Sequence, residues 1–129
     1  MGSDWETPDD FFSMLNQEFN FDLDVCANAK NHKCKKYFTI KDDGLKKDWV
    51  GICWCNPPYG NETKKWIRKA YEESKNGAIV VCLVPNRTET EWFHKYALKG
   101  EIRFIRGRIN FVNGGRPRFG SIIVIFRGN

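Results

Sequence analysis

Apolar residues recur along this chain at two spacings, and the spacing switches where turn-forming residues fall. Near the start, Phe11, Phe12, Leu15 and Phe19 repeat at steps of three and four, the period of a helix with one buried face. Thr7 ahead of Pro8, with Asp10 at the capping-box spacing, predicts a helix from about Pro8 to Glu18 capped by Thr7. From Phe21 to Ala27 the pattern becomes alternating: Phe21, Leu23 and Val25 against Asp22 and Asp24. That period of two predicts a strand ending near Cys26, with Asp24 close to its carboxyl end. Residues 28 to 48 are lysine-rich and weakly periodic; "KYFTI" suggests a short strand and Asp42-Asp43-Gly44 a turn.

After Trp49 the alternation of elements is regular. "GICWC" reads as a buried strand, Asn61 as a helix cap, and Trp66, Ile67, Ala70 and Tyr71 as a helical face that stops before Gly77. "AIVVCLV" predicts a strand buried on both sides. Thr88 and Glu91 repeat the capping-box spacing, Trp92, Phe93, Tyr96 and Ala97 repeat the helical face, and "EIRFI" follows as a strand. Strand and helix in alternation imply right-handed crossovers and a parallel sheet covered by helices. The segment from Arg106 to "SIIVIF" has no helical period and contains Asn113-Gly114-Gly115, so a hairpin-like return is expected, with an antiparallel strand at the sheet edge. The expectation is a single α/β domain over residues 1–129.

Composition narrows the class. A chain of 129 residues with 41% hydrophobic and 15% aromatic residues can bury a core, and it is short for a catalytic plus a large recognition domain. No apolar run approaches the roughly 20 residues that cross a bilayer, and the start is acidic rather than signal-like, so a cytoplasmic protein is expected. Five cysteines, Cys26, Cys34, Cys53, Cys55 and Cys82, lie mostly in apolar runs and read as reduced thiols. Their spacing with His32 matches no familiar zinc motif, so no metal is expected. A net charge of +5 is compatible with a polyanionic partner without requiring one.

The unusual stretch is "CWCNPPYGN", Cys53 to Asn61, where two prolines follow a strand. Pro57 keeps Asn56 out of the helical region and Pro58 does the same to Pro57, giving a stiff bend at the carboxyl end of a strand, where open parallel sheets bind ligands. A rigid Asn56 side-chain oxygen and the Pro57 carbonyl can both accept from one amino group, beside the ring of Tyr59. That arrangement suits a planar amine. Its lone pair is delocalised into a ring, and two acceptors on its hydrogens favour the localised form that attacks a methyl donor. An ordinary strand-to-helix turn is the plainer reading of the same residues.

Asn56-Pro57-Pro58-Tyr59 resembles the catalytic motif of S-adenosylmethionine-dependent amino-methyltransferases. The order Trp5-x-Thr7-Pro8, Phe21-Asp22-Leu23-Asp24-Val25-Cys26-Ala27, Asp43-Gly44-Leu45, Trp49 and Asn56-Pro57-Pro58-Tyr59-Gly60 is similar to the phage DNA N-6-adenine-methyltransferase family. The likeness continues through Leu83-x-Pro85-x-Arg87-Thr88-x-Thr90-x-Trp92-Phe93 and Gly107-Arg108-Ile109-x-Phe111. It implies a Rossmann-like class I methyltransferase fold, S-adenosyl-L-methionine as cofactor and double-stranded DNA as partner, with no membrane. By the same resemblance, Asn56, Pro57, Pro58 and Tyr59 are catalytic. Trp5, Thr7, Pro8, Asp24, Cys26, Ala27, Asp43 and Asn56 face the cofactor, and Tyr59, Arg87, Arg108 and Phe111 the flipped base and its strand. No glycine-rich turn follows Asp24, and no acidic residue stands out as the ribose ligand. Methylation of cytosine N4 or of a protein glutamine, and a nucleic-acid-binding module without catalysis, stay open as alternatives; monomer and homodimer are equally compatible.

Overall fold

The computed structural model describes residues 6–112 and 117–128. Trp5 and the Asn113-Gly114-Gly115 turn lie outside the described residues. Six strands form one sheet: β1 (Leu23–Asp24), β2 (Lys36–Tyr37), β3 (Ile52–Cys55), β4 (Ile79–Pro85), β5 (Glu101–Phe104) and β6 (Ser121–Phe126), in the order β2-β1-β3-β4-β6-β5. Helices α1 (Asp9–Phe19), α2 (Thr63–Lys75) and α3 (Glu91–Lys95) pack on it. The first four strands of that order pair in parallel; β6 runs antiparallel to both β4 and β5, so it alone opposes the common direction.

The antiparallel strand is therefore not at the edge. It lies between β4 and β5, pairing Val80 with Phe126 through Pro85 with Ser121 on one side and Glu101 with Ile125 on the other. The physical reason is its composition: every residue of β6 is buried, whereas β5 exposes Glu101 and Phe104 at its ends and leaves Ile102 and Arg103 half-buried. A strand apolar on both faces belongs in the interior of a sheet, and a charged one suits its edge.

Alternation sends β-strand side chains into two cores. Cys53, Cys55, Val80, Cys82 and Val124 meet Trp66, Ile67 and Ala70 of α2 and Trp92 and Phe93 of α3. Trp54, Val81, Leu83, Ile123 and Ile125 meet Phe12, Leu15 and Phe19 of α1 together with Tyr59, Ile109 and Phe111. The tryptophans and tyrosines of α2 and α3 serve packing. All five cysteines are free. Entry to β3 needs Gly51, which sits at φ +83° with the Asp22 carboxylate 2.5 Å from where a Cβ would stand; Asp22 Oδ2 accepts from Ile52 N at 2.9 Å.

Three caps differ from expectation. The N-cap of α1 is Pro8, with no side-chain bond, because the Thr7 hydroxyl is engaged elsewhere. Helix α2 begins at Thr63 rather than after Asn61, and α3 is capped by Thr90, whose hydroxyl accepts from Phe93 N at 3.3 Å, rather than by Thr88.

Candidate functional site

Strands β1, β3 and β4 are neighbours, and their carboxyl ends present Asp24, Asn56 and Pro85 to the same edge of the sheet. The bend at Asn56 is held from both sides. Pro57 is buried, and the Thr63 hydroxyl at the start of α2 donates to the Pro58 carbonyl at 3.0 Å, tying the bend to the helix that follows it. Thr7, 1% exposed, crosses from the N-terminal segment, and its Oγ1 accepts from Asn56 Nδ2 at 2.8 Å. The Asn56 oxygen, Oδ1, is buried at the same place.

Tyr59 is buried, which pushes its phenol above the usual tyrosine range, so it stays protonated at neutral pH. Its hydroxyl lies 3.2 Å from Ser121 Oγ, a partner 62 positions away at the start of β6. The ring meets Phe111 edge to face, centroids 6.0 Å apart and planes at 85°, and Phe119 at 5.4 Å. Tyr59 and Phe111 are thus in mutual contact rather than parallel plates across a slot. Phe111 is fixed by its neighbour: Val112 N donates to the Glu6 carbonyl at 3.0 Å, one residue from Thr7.

Asp24 is 3% exposed and burial raises its carboxyl to about 6, against the lowering pull of two main-chain hydrogen bonds and the charges of Lys33 and His32. Its Oδ2 accepts from Lys33 N at 2.9 Å and its Oδ1 from Cys26 N at 3.3 Å, so it closes the loop after β1. Lys33 Nζ in turn pairs with Asp9 at 2.8 Å, joining that loop to α1. Ala27 N donates to the Phe38 carbonyl, extending the β1–β2 pairing. A carboxylate offers about four acceptor positions, and the bonds from Lys33 N and Cys26 N use two of them.

The other expected positions spread further. Pro8 adjoins Thr7. Asp43 lies beyond β2 in a left-handed conformation, φ 54°, heading the 3-10 turn Gly44–Lys46. Arg87 follows β4, exposed and paired with Glu89 at 2.6 Å. Arg108 Nη1 donates to the Pro117 carbonyl at 3.1 Å, bracing the segment that carries Phe111. A cavity of about 320 Å³ lined by Tyr71, Lys75, Lys99 and Phe126 lies where β4 begins, at the other end of the sheet. Among the described residues no group of three His, Cys, Asp or Glu side chains is placed to hold a metal, and no helix is long and apolar enough to cross a membrane.

The bend at Asn56 with Tyr59 and Thr7 on one sheet edge is matched by sequence likeness along the whole chain. The model of the DNA N-6-adenine-methyltransferase (Dam) family matches residues 1–127. The chain belongs to that family. Similar members are the DNA N-6-adenine-methyltransferase of Haemophilus phage HP1 (strain HP1c1), 37% identical over 84% of this chain, and that of Escherichia phage T1, 26% identical over 95% of it. The alignments span 66% and 62% of those relatives' own lengths, so this Dam-family chain corresponds to somewhat under two thirds of each. Residues that sequence reasoning missed are Ser121 and Thr63, which anchor Tyr59 and Pro58. Ser121 carries a visible signal, a hydroxyl opening an otherwise wholly apolar strand.

Proposed function

We propose that this chain is a Rossmann-like class I methyltransferase domain that methylates N6 of an adenine flipped from double-stranded DNA, using S-adenosyl-L-methionine. Both phage relatives are DNA N-6-adenine-methyltransferases, which favours adenine over cytosine or glutamine. A mostly parallel sheet with the candidate site at its carboxyl edge agrees with the fold, and the +5 charge agrees with a DNA partner.

The observation that carries the reading is the Asn56 amide: its Nδ2 is engaged by Thr7, and its buried Oδ1 stands beside the rigid Pro57–Pro58 bend. Oδ1 and the Pro57 carbonyl accept the two N6 hydrogens, localising the nitrogen lone pair. These bonds strengthen as the amine becomes tetrahedral, so they act on the transition state more than on the bound base. When bound, S-adenosyl-L-methionine would supply an electrophilic sulfonium methyl group for N6, with S-adenosylhomocysteine as the leaving thioether and one N6 proton lost. Asp24 and Thr7 lie on the side of the bend assigned to its methionine end. Flipping the base costs a few kcal/mol, and one aromatic stack returns about 1–3 kcal/mol. Tyr59 would supply that ring, with Phe111 packed against its edge.

Incubating the protein with duplex DNA and methyl-labelled S-adenosyl-L-methionine, then digesting the DNA for mass spectrometry, tests the reading. Label in N6-methyladenine is expected. Label in N4-methylcytosine, or in protein glutamine only, or in neither, overturns it.

A further inference from the structure

We infer that the cavity between the end of α2 and the end of β6 is a second binding site, one that takes a phosphomonoester. Its volume of about 320 Å³ is within the range of small-molecule sites. Two lysines from separate elements converge on one ring of its lining. Lys75 Nζ, from the last residue of α2, stands 5.3 Å from the Tyr71 centroid, and Lys99 Nζ, from the 3-10 turn Ala97–Lys99, stands 4.9 Å from it. The acids nearest them in sequence are engaged by other cations: Glu72 by Arg68 at 3.0 Å, Glu73 by Lys69 at 3.2 Å, and Glu101 by both Arg103 and Arg127. Arg127 also lines the cavity, so its charge is balanced by Glu101, while among the described residues no carboxylate pairs with Lys75 or Lys99. A ring face attracts an ammonium without using its three N–H donors, and two such charges on one ring repel. An oxyanion between them accepts from both and removes the repulsion.

The carboxyl end of a helix is its negative pole and opposes an anion, but here that end is capped from within the chain. Asn76 N donates to the Glu73 and Ser74 carbonyls, Gly77 N to Ser74 at 3.2 Å and Ala78 N to Glu73 at 3.2 Å. The Ser74 hydroxyl donates to the Tyr71 carbonyl at 2.7 Å, which leaves the two ammoniums to set the sign of the cavity. Gly128 closes one wall at φ +82°, where a Cβ would run into the Ser74 carbonyl oxygen. The charge count selects the ligand. A phosphomonoester carries about −1.5 to −2 at neutral pH and matches two lysines, whereas a carboxylate or a phosphodiester carries one charge and leaves an ammonium unbalanced. Lysine, a point charge without the planar fork of arginine, suits phosphate. The site is separate from the one at Asn56. Tyr71 and Phe126 belong to the core under α2 and Tyr59 to the opposite core, and β4, whose far end the cavity adjoins, is seven residues long, roughly 20 Å.

Nuclear magnetic resonance of the full chain tests this by following the Tyr71 ring and the Lys75 and Lys99 side chains. The probes are deoxycytidine 5′-monophosphate and deoxycytidine, which contain no adenine. Saturable shifts are expected with the monophosphate and none with the nucleoside. Lys75→Met with Lys99→Met keeps the stems over Tyr71 and removes both charges, so it should weaken the monophosphate Kd about tenfold or more, the scale of lost charge-assisted hydrogen bonds. Lys75→Arg with Lys99→Arg keeps the charges and should retain most of the affinity. If the double methionine variant does not fold, Lys99→Met alone carries the same expectation in direction. A G·C duplex with and without 5′-phosphates separates the two sources of the group. The same shifts with the phosphorylated duplex alone assign the site to a strand end, and shifts with the free monophosphate but neither duplex assign it to a nucleotide. Equal shifts with deoxycytidine or with the unphosphorylated duplex, parent-like affinity in the methionine variant, or no saturable shift with any phosphomonoester overturns the site. None of these outcomes depends on methyl transfer.

Discussion

On one face of the sheet, two helices cover Cys53, Val80 and Val124 with Trp66, Ile67 and Phe93; on the other, a single helix shares the cover with Tyr59, Ile109 and Phe111. The first face is closed mainly by helices, with the buried Glu73 carboxylate of α2 accepting from Trp49 N as its long-range polar tie. The second leaves part of its cover to an irregular segment, and there the polar contacts run between distant parts of the chain: Thr7 with Asn56, Tyr59 with Ser121, Val112 with Glu6. The two faces divide the work: apolar packing dominates under α2, and the candidate site's side chains on the other face are held by individual hydrogen bonds between distant segments.

Paired variants break that comparison if it is wrong. Asn56→Ala on the open face should reduce methyl transfer by about 10²- to 10³-fold, the scale for removing one transition-state hydrogen bond, with little change in melting temperature. Ile67→Ala on the helical face, at 0% exposure, should instead lower unfolding free energy by about 2–5 kcal/mol in urea titrations, with kcat of the folded fraction close to that of the parent. The opposite pattern would dissolve the distinction between the faces.

Asp24 sharpens it through pH. Its carboxyl is raised from 3.8 to about 6 by burial, so between those values the native state holds more protons than the unfolded chain. The sign follows: this group's contribution is most favourable below about pH 4 and is lost as pH rises through 6. Relative to Asp24→Asn, the parent should therefore lose about 3 kcal/mol of stability across that window. Urea unfolding of both proteins at pH 4 and pH 7 measures it, and parallel curves would mean that Asp24 ionises freely in the folded protein.

The smallest effect concerns Tyr59. Removing its hydroxyl leaves Ser121 Oγ buried without the 3.2 Å contact, so Tyr59→Phe should cost about 1 kcal/mol of stability while keeping the ring and most of the turnover. Equal stability of the two proteins would show that the pair is incidental.

Much of this arrangement was legible in the sequence. The two periods identify the helices and strands, and Asn-Pro-Pro-Tyr after an apolar run locates the site edge, because proline stiffness and strand burial are local properties. What was hidden depends on contacts across the chain. A threonine before a proline carries the same local signal whether its hydroxyl caps a helix or meets an asparagine 49 positions on, so Thr7 was misassigned as a cap. The partner of the Tyr59 phenol was invisible for the same reason. The place of β6 was readable in principle: "SIIVIF" has no outward polar position after Ser121, whereas "EIRFI" has Glu101 and Arg103, and the hairpin rule alone says which strands are antiparallel but not which one is inside.

The interior position of β6 has a consequence for synthesis on the ribosome. Strand β4 pairs with β3 on one side and with β6 on the other, and residues 86 to 120 must be made before β6 appears. At about 5–20 residues per second, "AIVVCLV" waits a few seconds with one edge unpaired. A short run of apolar, uncharged, β-prone residues in that condition is a template for another nascent chain. Slowing translation between residues 86 and 120 is therefore expected to lower the yield of folded protein without changing the finished fold.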